Sequence, residues 1–384
     1  RNQSLCNFCG ACRNNVSCPV GEVFSSSCIG CGACVLACSG GAIDLVEDKG
    51  IRKNISIKVN GENFYVPERT TLKEALRFAG ISHDAPCGVG GCWCCAVLVD
   101  GSAKPSCITG VSEGMVVDTR TELEPLRVVT GFSPHMVGGV GTPINVRNYL
   151  FPVEVACFTH GCNFRCPQCQ NHMMAFTGGM EMKPEEAALM LSNMRLIYQV
   201  NRMAFSGGEC TLNRRWLVEA IKELKKLNRD GKARIHVDTN GSLLTKDYID
   251  ELVDAGMTDT GIDLKALRIE TFKKITGVKD NAERYLENAW NAVKYLLEKH
   301  PQVFVGVGIP YNKALVSKEE ILEIGERIAA ISEAVQVCVL DYRPAFRRAL
   351  EQPGMEEMRE IKEMLNGAGL KNVIAQTARG HLGP

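Results

Sequence analysis

Cys162, Cys166 and Cys169 stand at the spacing C-x3-C-x2-C. Three thiolates so placed can bind three irons of a [4Fe–4S] cube and leave the fourth iron open to chelate the amine and carboxylate of a ligand. Two further cysteine runs open the chain. Cys6-x2-Cys9-x2-Cys12-x5-Cys18 is followed by Cys28-x2-Cys31-x2-Cys34-x3-Cys38, an internal repeat. A tight loop of this kind presents three sulfurs to one cubane, and the fourth ligand comes from the other run. The spacing therefore assigns Cys6, Cys9, Cys12 and Cys38 to one [4Fe–4S] cluster, and Cys28, Cys31, Cys34 and Cys18 to a second. Another group, Cys87-x4-Cys92-x2-Cys95 followed by Cys107 after eleven residues, has the spacing of a [2Fe–2S] site. Structural zinc and disulfides compete with these readings, but spacing this repetitive is unusual for either.

Composition bounds what else the chain can be. It has 384 residues, with 44 Lys and Arg against 44 Asp and Glu, which argues against nucleic-acid binding driven by net charge. Apolar residues make up 45% and charged residues 23%, the balance of a globular chain of two or three domains. No run of 18 apolar residues occurs, so no membrane span is expected. The first residues lack an apolar signal-peptide core, and because the sequence begins with Arg1 the native start is expected to lie upstream. Of 19 cysteines, 13 fall within residues 1–119. Secreted disulfide proteins are usually short chains with cysteines throughout, so metal ligation in a reducing compartment is the better account.

The elements that must position these thiols fall into four pieces. Residues 1–50 are rich in Cys, Gly and Asn and poor in periodicity. In residues 51–119, Ile55, Ile57 and Val59 alternate as in a strand, Asn60-Gly61 signals a hairpin turn, and Phe64 and Val66 begin the return strand. A short helix is predicted from Thr71 to Ala79, then a Gly/Cys loop and a strand at Ala96–Val99. Residues 120–150 carry Gly138, Gly139, Gly141 and Pro143 and read as a linker packed on its neighbours. From 151 to 384 strands and helices alternate. Strands are predicted at 153–158, 202–206, 234–238, 258–264, 303–308 and 335–339, and helices near 184–199, 213–227, 246–254, 281–299, 318–330 and 355–366. Regular alternation implies a parallel sheet, and six units make a partial (β/α)6 barrel with chemistry at the C-terminal strand ends.

The motifs carry family resemblances. Residues 1–50 resemble a bacterial-type dicluster ferredoxin, apart from the x5 step before Cys18 and Ser39 where a proline often follows the last cysteine. Pro86-Cys87-Gly88-Val89-Gly90-Gly91-Cys92, with the strand–turn–strand–helix pattern before it, resembles the loop of a β-grasp [2Fe–2S] ferredoxin. The stretch Gly161-Cys162-Asn163-Phe164-Arg165-Cys166-Pro167-Gln168-Cys169-Gln170-Asn171 is similar to the radical S-adenosylmethionine (SAM) superfamily, and most to the activases of glycyl radical enzymes. Ser206-Gly207-Gly208-Glu209, Asp238-Thr239-Asn240-Gly241 and Asp263-Leu264-Lys265 follow the second, third and fourth predicted strands. The resemblance implies that Gly207, Gly208 and Glu209 help bind the methionine amino group. It also implies that Asp238 and Asp263 help hold a monovalent cation near the cofactor carboxylate, with Lys265 beside that carboxylate.

The reaction so implied is reductive cleavage of SAM to methionine and a 5′-deoxyadenosyl radical that abstracts hydrogen from a substrate. Three [4Fe–4S] clusters, one [2Fe–2S] cluster and SAM are the expected cofactors, the N-terminal modules relaying electrons from an external low-potential donor. Three readings of the reaction's target follow. One is a radical enzyme acting on a small molecule, peptide or cofactor. Another is an activase that places a glycyl radical on a large partner enzyme. The third is an electron-transfer subunit without catalysis of its own. A cytoplasmic, anaerobic or strongly reducing setting is expected, with no nucleic-acid or membrane partner. Outside these motifs, Cys94, Cys157, Cys210 and Cys338 read as structural thiols, and His160 as a packing or hydrogen-bonding residue. Asp341, Tyr342 and Arg343 are strand-end residues that could face cofactor. Tyr198, Trp216, Tyr285 and Trp290 are read as outer core or surface, and Lys222, Lys225 and Lys226 as a solvated helix face.

Overall fold

The computed structural model describes residues 1–384, and the chain divides into two compact units. The first holds Arg1–Thr130, Thr159–Asn163 and Asn171–Lys183; the second holds Gly131–Phe158, Phe164–Gln170 and Pro184–Pro384. The expected linker 120–150 is thus shared, its larger part belonging to the second unit. No helix is long and apolar enough to cross a membrane.

Two short helices, α1 (Ala11–Asn14) and α2 (Ala33–Ala37), open the first unit. Each is entered from a glycine in the left-handed region, Gly10 at φ 74° and Gly32 at φ 76°, a conformation that suits glycine. Cys38, Ala42 and Ile43 form a small apolar cluster here, with Cys6, Cys12 and Cys34 packed on it. So small a core needs a further staple. The hairpin of β1 (Asn54–Val59) and β2 (Glu62–Pro67) turns at Asn60 and Gly61, both at positive φ. Helix α3 (Leu72–Phe78) is capped by Thr71, whose Oγ1 accepts from Glu74 N at 3.2 Å. Strands β3 (Ala96–Val99), β4 (Ser102–Pro105) and β5 (Val116–Asp118) complete a five-stranded sheet of order β2-β1-β5-β3-β4. Ile57, Val59, Val66, Leu72, Leu76, Val97, Val99 and Val117 bury its inner face against α3. This is the expected β-grasp arrangement.

Strand β6 (Arg127–His135) lies inside the predicted linker. Its alternation is broken by Gly131, which explains why periodicity missed it. The chain then enters the sheet of the second unit at β7 (Glu154–Thr159). Helix α4 (His172–Ala175) and strand β8 (Glu181–Met182) return to the first unit, where β8 pairs antiparallel with the start of β6.

The second unit alternates as predicted. Helix α5 (Pro184–Ile197) precedes β9 (Arg202–Gly207). Helix α6 (Arg214–Leu227), β10 (Arg234–Thr239), α7 (Lys246–Ala255) and β11 (Asp259–Asp263) follow. After α8 (Ile269–Thr276) and α9 (Ala282–Lys299) come β12 (Phe304–Tyr311), α10 (Lys318–Ile331) and β13 (Gln336–Asp341). Helix α11 (Met355–Gly367), β14 (Asn372–Thr377) and β15 (Gly380–Leu382) close the chain. Strands β9 to β14 are successively parallel, β7 lies next to β9, and β15 is antiparallel to β14. The open sheet therefore gains β14 beyond the six predicted strands. Its central strands are buried along their length, as in β12, where Val305 to Tyr311 are all inaccessible. Trp216 and Trp290 are core residues, 0% and 3% exposed, and not the outer positions expected from sequence; each sits on the sheet-facing side of its amphipathic helix.

Within the glycine-rich stretch 138–147, Val140, Gly141 and Thr142 are buried in the interior of this unit. A Cβ on Gly141 would run into the backbone of Thr260–Gly261, and one on Gly306 into the carbonyl of Val140. Gln336 grips the segment from β13: its Oε1 accepts from Ile144 N at 2.9 Å and its Nε2 donates to Thr142 O at 3.0 Å. Beside it Arg202 donates to Asp259 at 2.9 Å, and His236 meets Glu154 at 3.2 Å. Burial would push Glu154 up, but His236, His135 and Arg202 hold it well below the usual carboxylate range.

Candidate functional site

In the first unit the thiols expected to ligate iron are gathered. Cys87, Cys92, Cys95 and Cys107 are at most 3% exposed and face one another. Hydrogen bonds from Cys107 and then Cys92 hold Cys87 well below the usual thiol range; Cys107, bonded to Cys87 and Cys95, is pushed far up. Gly88 and Gly90, at φ 68° and 71°, turn the loop around these sulfurs. The Ser106 hydroxyl beside Cys107 is buried and bonds the Cys95 thiol, helping to lower it. Four converging buried thiols with a hydroxyl donor among them fit a [2Fe–2S] centre. Among the N-terminal cysteines, Cys31 is raised by burial and also by the nearby thiols of Cys28 and Cys18. Cys6, Cys12 and Cys38 share the apolar cluster described above, and Cys9 Sγ lies 3.6 Å from Ser39 Oγ. Cys94 stays close to the [2Fe–2S] thiols: its Sγ lies 3.8 Å from Cys92 O, and its thiol also bonds the Cys92 side chain and helps raise it.

The chain passes from the first unit to the second within the loop that follows β7. On the first-unit side, His160 is held between Thr130 at 3.1 Å and Thr177 Oγ1 at 3.0 Å. Burial lowers its pKa, so it is a neutral positioning group. Gly161, at φ 84°, touches the [2Fe–2S] loop: a Cβ there would lie 2.8 Å from Cys87 Cβ and 3.1 Å from Cys92 N. Cys162 follows it directly and is 9% exposed.

On the second-unit side the loop is braced by backbone. Arg165 N donates to Thr276 O at 2.8 Å, Gln168 Nε2 donates to Ile275 O at 2.7 Å, and Cys169 N donates to Cys166 O at 3.1 Å. Arg348 Nη1 donates to Gln168 Oε1 at 2.9 Å, and Arg347 N donates to Pro167 O at 2.9 Å. Cys166 is raised by burial, against the opposing charge of Lys265. Lys265 Nζ donates to Asp263 Oδ2 at 2.6 Å and to the Tyr342 hydroxyl at 2.9 Å. Tyr342, at the end of β13, thus joins Asp263 and Lys265 beside Cys166.

The remaining motif residues stand at the C-terminal ends of β9 and β10. Gly207 sits at φ 106°, open to glycine and costly for other residues. Glu209 is 0% exposed, and its carboxylate is fully engaged. Oε1 accepts from Thr211 N at 3.0 Å, Thr211 Oγ1 at 2.6 Å and Thr239 Oγ1 at 2.6 Å. Oε2 accepts from Asn240 N at 2.8 Å. It therefore locks the two strand-end loops together and sets their backbone. Sequence reasoning missed Thr211 and Thr239 as its partners, although Thr239 lies inside a motif and Thr211 two residues after one. Asp238 accepts from Ser206 Oγ at 2.9 Å, and burial pushes it up to about 6. Asp263 is its charged neighbour, so the aspartates proposed for a hard cation stand close together. Cys157, Cys210 and Cys338 are buried, and Cys210 Sγ donates to Asp238 O at 3.2 Å.

Open parallel strands with glycine-lined C-terminal ends, and a three-cysteine loop after the first of them, define an iron–sulfur α/β protein. Residues 157–314 match the radical SAM superfamily, residues 52–122 a 2Fe-2S iron-sulfur cluster binding domain, and residues 22–44 a 4Fe-4S binding domain. The chain thus carries a radical SAM domain preceded by 4Fe-4S and 2Fe-2S ferredoxin-type domains. A probable GTP 3′,8-cyclase of Saccharolobus islandicus (strain Y.N.15.51 / Yellowstone #2) is 31% identical over 216 residues, 56% of this chain and 65% of that protein. A probable GTP 3′,8-cyclase of Saccharolobus solfataricus is 30% identical over 219 residues, again 56% and 65%. The chain therefore spans less than two thirds of these curated relatives. The SAM-bound structure of Streptococcus suis SuiB aligns at TM-score 0.48 and 16% identity, over 59% of this chain and 51% of that one.

Proposed function

We propose that the protein cleaves SAM reductively with electrons drawn from its own N-terminal clusters, and that the resulting radical abstracts hydrogen from a small molecule, peptide or cofactor. A [4Fe–4S] cluster at Cys162, Cys166 and Cys169 would supply the electron and chelate SAM at its open iron. The chain's own groups do the rest. Gly207 and Gly208 let the backbone approach the methionine end, and Glu209 keeps that backbone in place. Lys265, held by Asp263 and Tyr342, carries positive charge toward the carboxylate. Asp238 and Asp263 are the oxygen donors for a monovalent cation. Cys6, Cys9, Cys12 and Cys38, then Cys18, Cys28, Cys31 and Cys34, hold two cubanes, and Cys87, Cys92, Cys95 and Cys107 hold the [2Fe–2S] centre.

The observation that favours a small substrate is the segment at Arg347 and Arg348. It folds onto the cluster loop at Pro167 and Gln168, narrowing the face that a protein loop would need open. The activase reading is supported by the Gly161–Asn171 loop and by the Asp238–Gly241 and Asp263–Lys265 motifs, whereas the matched relatives carry cyclase names. GTP, the nucleotide in those names, is the first substrate to offer. The test is anaerobic: reconstitute the chain, reduce it, add SAM, and quantify 5′-deoxyadenosine with total iron. Cleavage at about 14 irons per chain supports the reading. No cleavage at full loading sinks it in favour of an electron-transfer subunit. Cleavage that rises with GTP names the substrate class; cleavage that rises only with a protein partner returns the activase. The exposed Cys9, flanked by exposed Phe8 and Leu5, is the proposed contact for an external low-potential donor in an anaerobic setting.

A further inference from the structure

Contacts within the first unit give the clusters proposed above an order, an inference that rests on the radical SAM reading. Cys34 packs in the same apolar cluster as Cys6, Cys12 and Cys38, so the two cubane sites adjoin. Ile29, the neighbour of Cys28, lies over Gly110: a Cβ on Gly110 would be 3.2 Å from Ile29 Cγ2. Gly110 is three residues beyond Cys107, a ligand of the [2Fe–2S] site. On the other side of that site, Cys87 lies against Gly161, with a Cβ on Gly161 placed 3.2 Å from Cys87 Sγ. Gly161 is bonded to Cys162.

This last junction is built for closeness. Gly91 faces the peptide between His160 and Gly161, where a Cβ would be 2.8 Å from both Gly161 N and His160 C. One residue of β6 clamps the two loops: Val128 N donates to Gly91 O at 3.0 Å, and His160 N donates to Val128 O at 2.9 Å. A side chain at Gly91 or Gly161 would force the loops apart, and electron tunnelling weakens exponentially with such separation.

We propose that electrons move in a fixed order, from the Cys6–Cys38 site to the Cys18–Cys34 site, then to the [2Fe–2S] site, and last from Cys87 across Gly161 to Cys162. Each step moves one electron and no atoms. In the last, the reduced [2Fe–2S] centre is oxidised by one electron and the [4Fe–4S] centre at Cys162 is reduced by one. A low-potential one-electron donor protein, or dithionite in the test tube, refills the first site. The first cysteine run also reaches the segment after the cluster loop, where Asn15 Nδ2 lies 3.5 Å from Met173 Sδ. A bypass there is the competing route.

Freeze-quench electron paramagnetic resonance on the full, iron-loaded chain tests the order. The protein is reduced with dithionite, freed of excess reductant and mixed with SAM. The summed loss of cubane and [2Fe–2S] signals, the latter outlasting the former on warming, should keep step with 5′-deoxyadenosine, and both losses should slow in Gly91→Ala because every electron passes the [2Fe–2S] centre. Cubane signals that fall at the wild-type rate in Gly91→Ala would overturn the order and favour the bypass. Gly91→Ala should slow the [2Fe–2S] decay several-fold with iron content and line shape kept; an unchanged rate counts against the junction. Should that variant lose iron, the wild type still decides. Spin relaxation of the reduced [2Fe–2S] centre should quicken when the cluster at Cys162 is also reduced, and revert in Cys166→Ala. Equal relaxation in both would refute the contact. If excess dithionite acting directly yields no deoxyadenosine, the radical reading fails, while the relaxation result still reports the order.

Discussion

Lys265 and Tyr342 meet across the mouth of the second unit, Nζ donating to the phenol oxygen at 2.9 Å from a lysine 9% exposed. They come from the ends of β11 and β13, so the pair is a tie between strands as well as a charged group aimed at the site. The opposing charge of Asp263 keeps the ammonium protonated despite burial.

Lys265→Gln should therefore raise the SAM concentration for half-maximal deoxyadenosine formation by about 10-fold or more, the scale of one charged hydrogen bond. Tyr342→Phe keeps the ammonium and loses one of its acceptors, so its effect should be several-fold at most. Equal effects in the two variants would count against a direct role for the lysine. Initial rates against SAM concentration make the comparison.

Cys166→Ala should abolish deoxyadenosine formation and remove about 4 irons per chain. The N-terminal clusters should still bleach on reduction. Cleavage at the wild-type rate would show that the C-x3-C-x2-C loop is not the reactive centre.

Glu209→Gln should cost about 3 kcal/mol of stability. Four donors converge on this buried carboxylate, and an amide turns one acceptor into a donor facing another donor. Thermal unfolding of the iron-loaded chain reads the loss. Unchanged stability with weakened SAM binding would instead assign Glu209 to the cofactor directly.

His381 gives the second unit an acid limit. Burial, and then the charge of Arg147, lower its pKa from 6.5 to about 4. Because the folded value lies below the unfolded one, the unfolded chain binds more protons between them. The stabilisation is complete above pH 6.5 and is lost as pH falls toward 4. His381→Gln should flatten this part of the profile, narrowing the drop in melting temperature between pH 7 and pH 5 by a few degrees. A profile of unchanged slope would place the acid sensitivity elsewhere.

The six predicted strands of the second unit all form, and physical reasons separate them from what sequence reading missed. Parallel strands buried on both faces read as continuous apolar runs, and helices such as α6 repeat Leu217, Ile221 and Leu224 toward the sheet. Cysteine spacing is equally legible because ligation geometry leaves it little freedom. Strand β15 is three residues long, α8 only eight, and β6 is interrupted by glycine, so none carries enough periods to register. The stretch 138–147 owes its place to contacts with residues far along the chain, such as Gln336, which no local pattern announces. Glu209 was found as a motif residue, but its role as a tie between loops depends on Thr239, thirty positions away.

The segment 138–147 also ties the second unit together along the chain. Gln336 in β13 holds Thr142 and Ile144, so a stretch that precedes most of the sheet is seated by a residue up to 194 positions later. The interior of the unit is therefore completed only when one of its last strands is in place, and Gln336→Ala should loosen residues 142–144 rather than β13 itself.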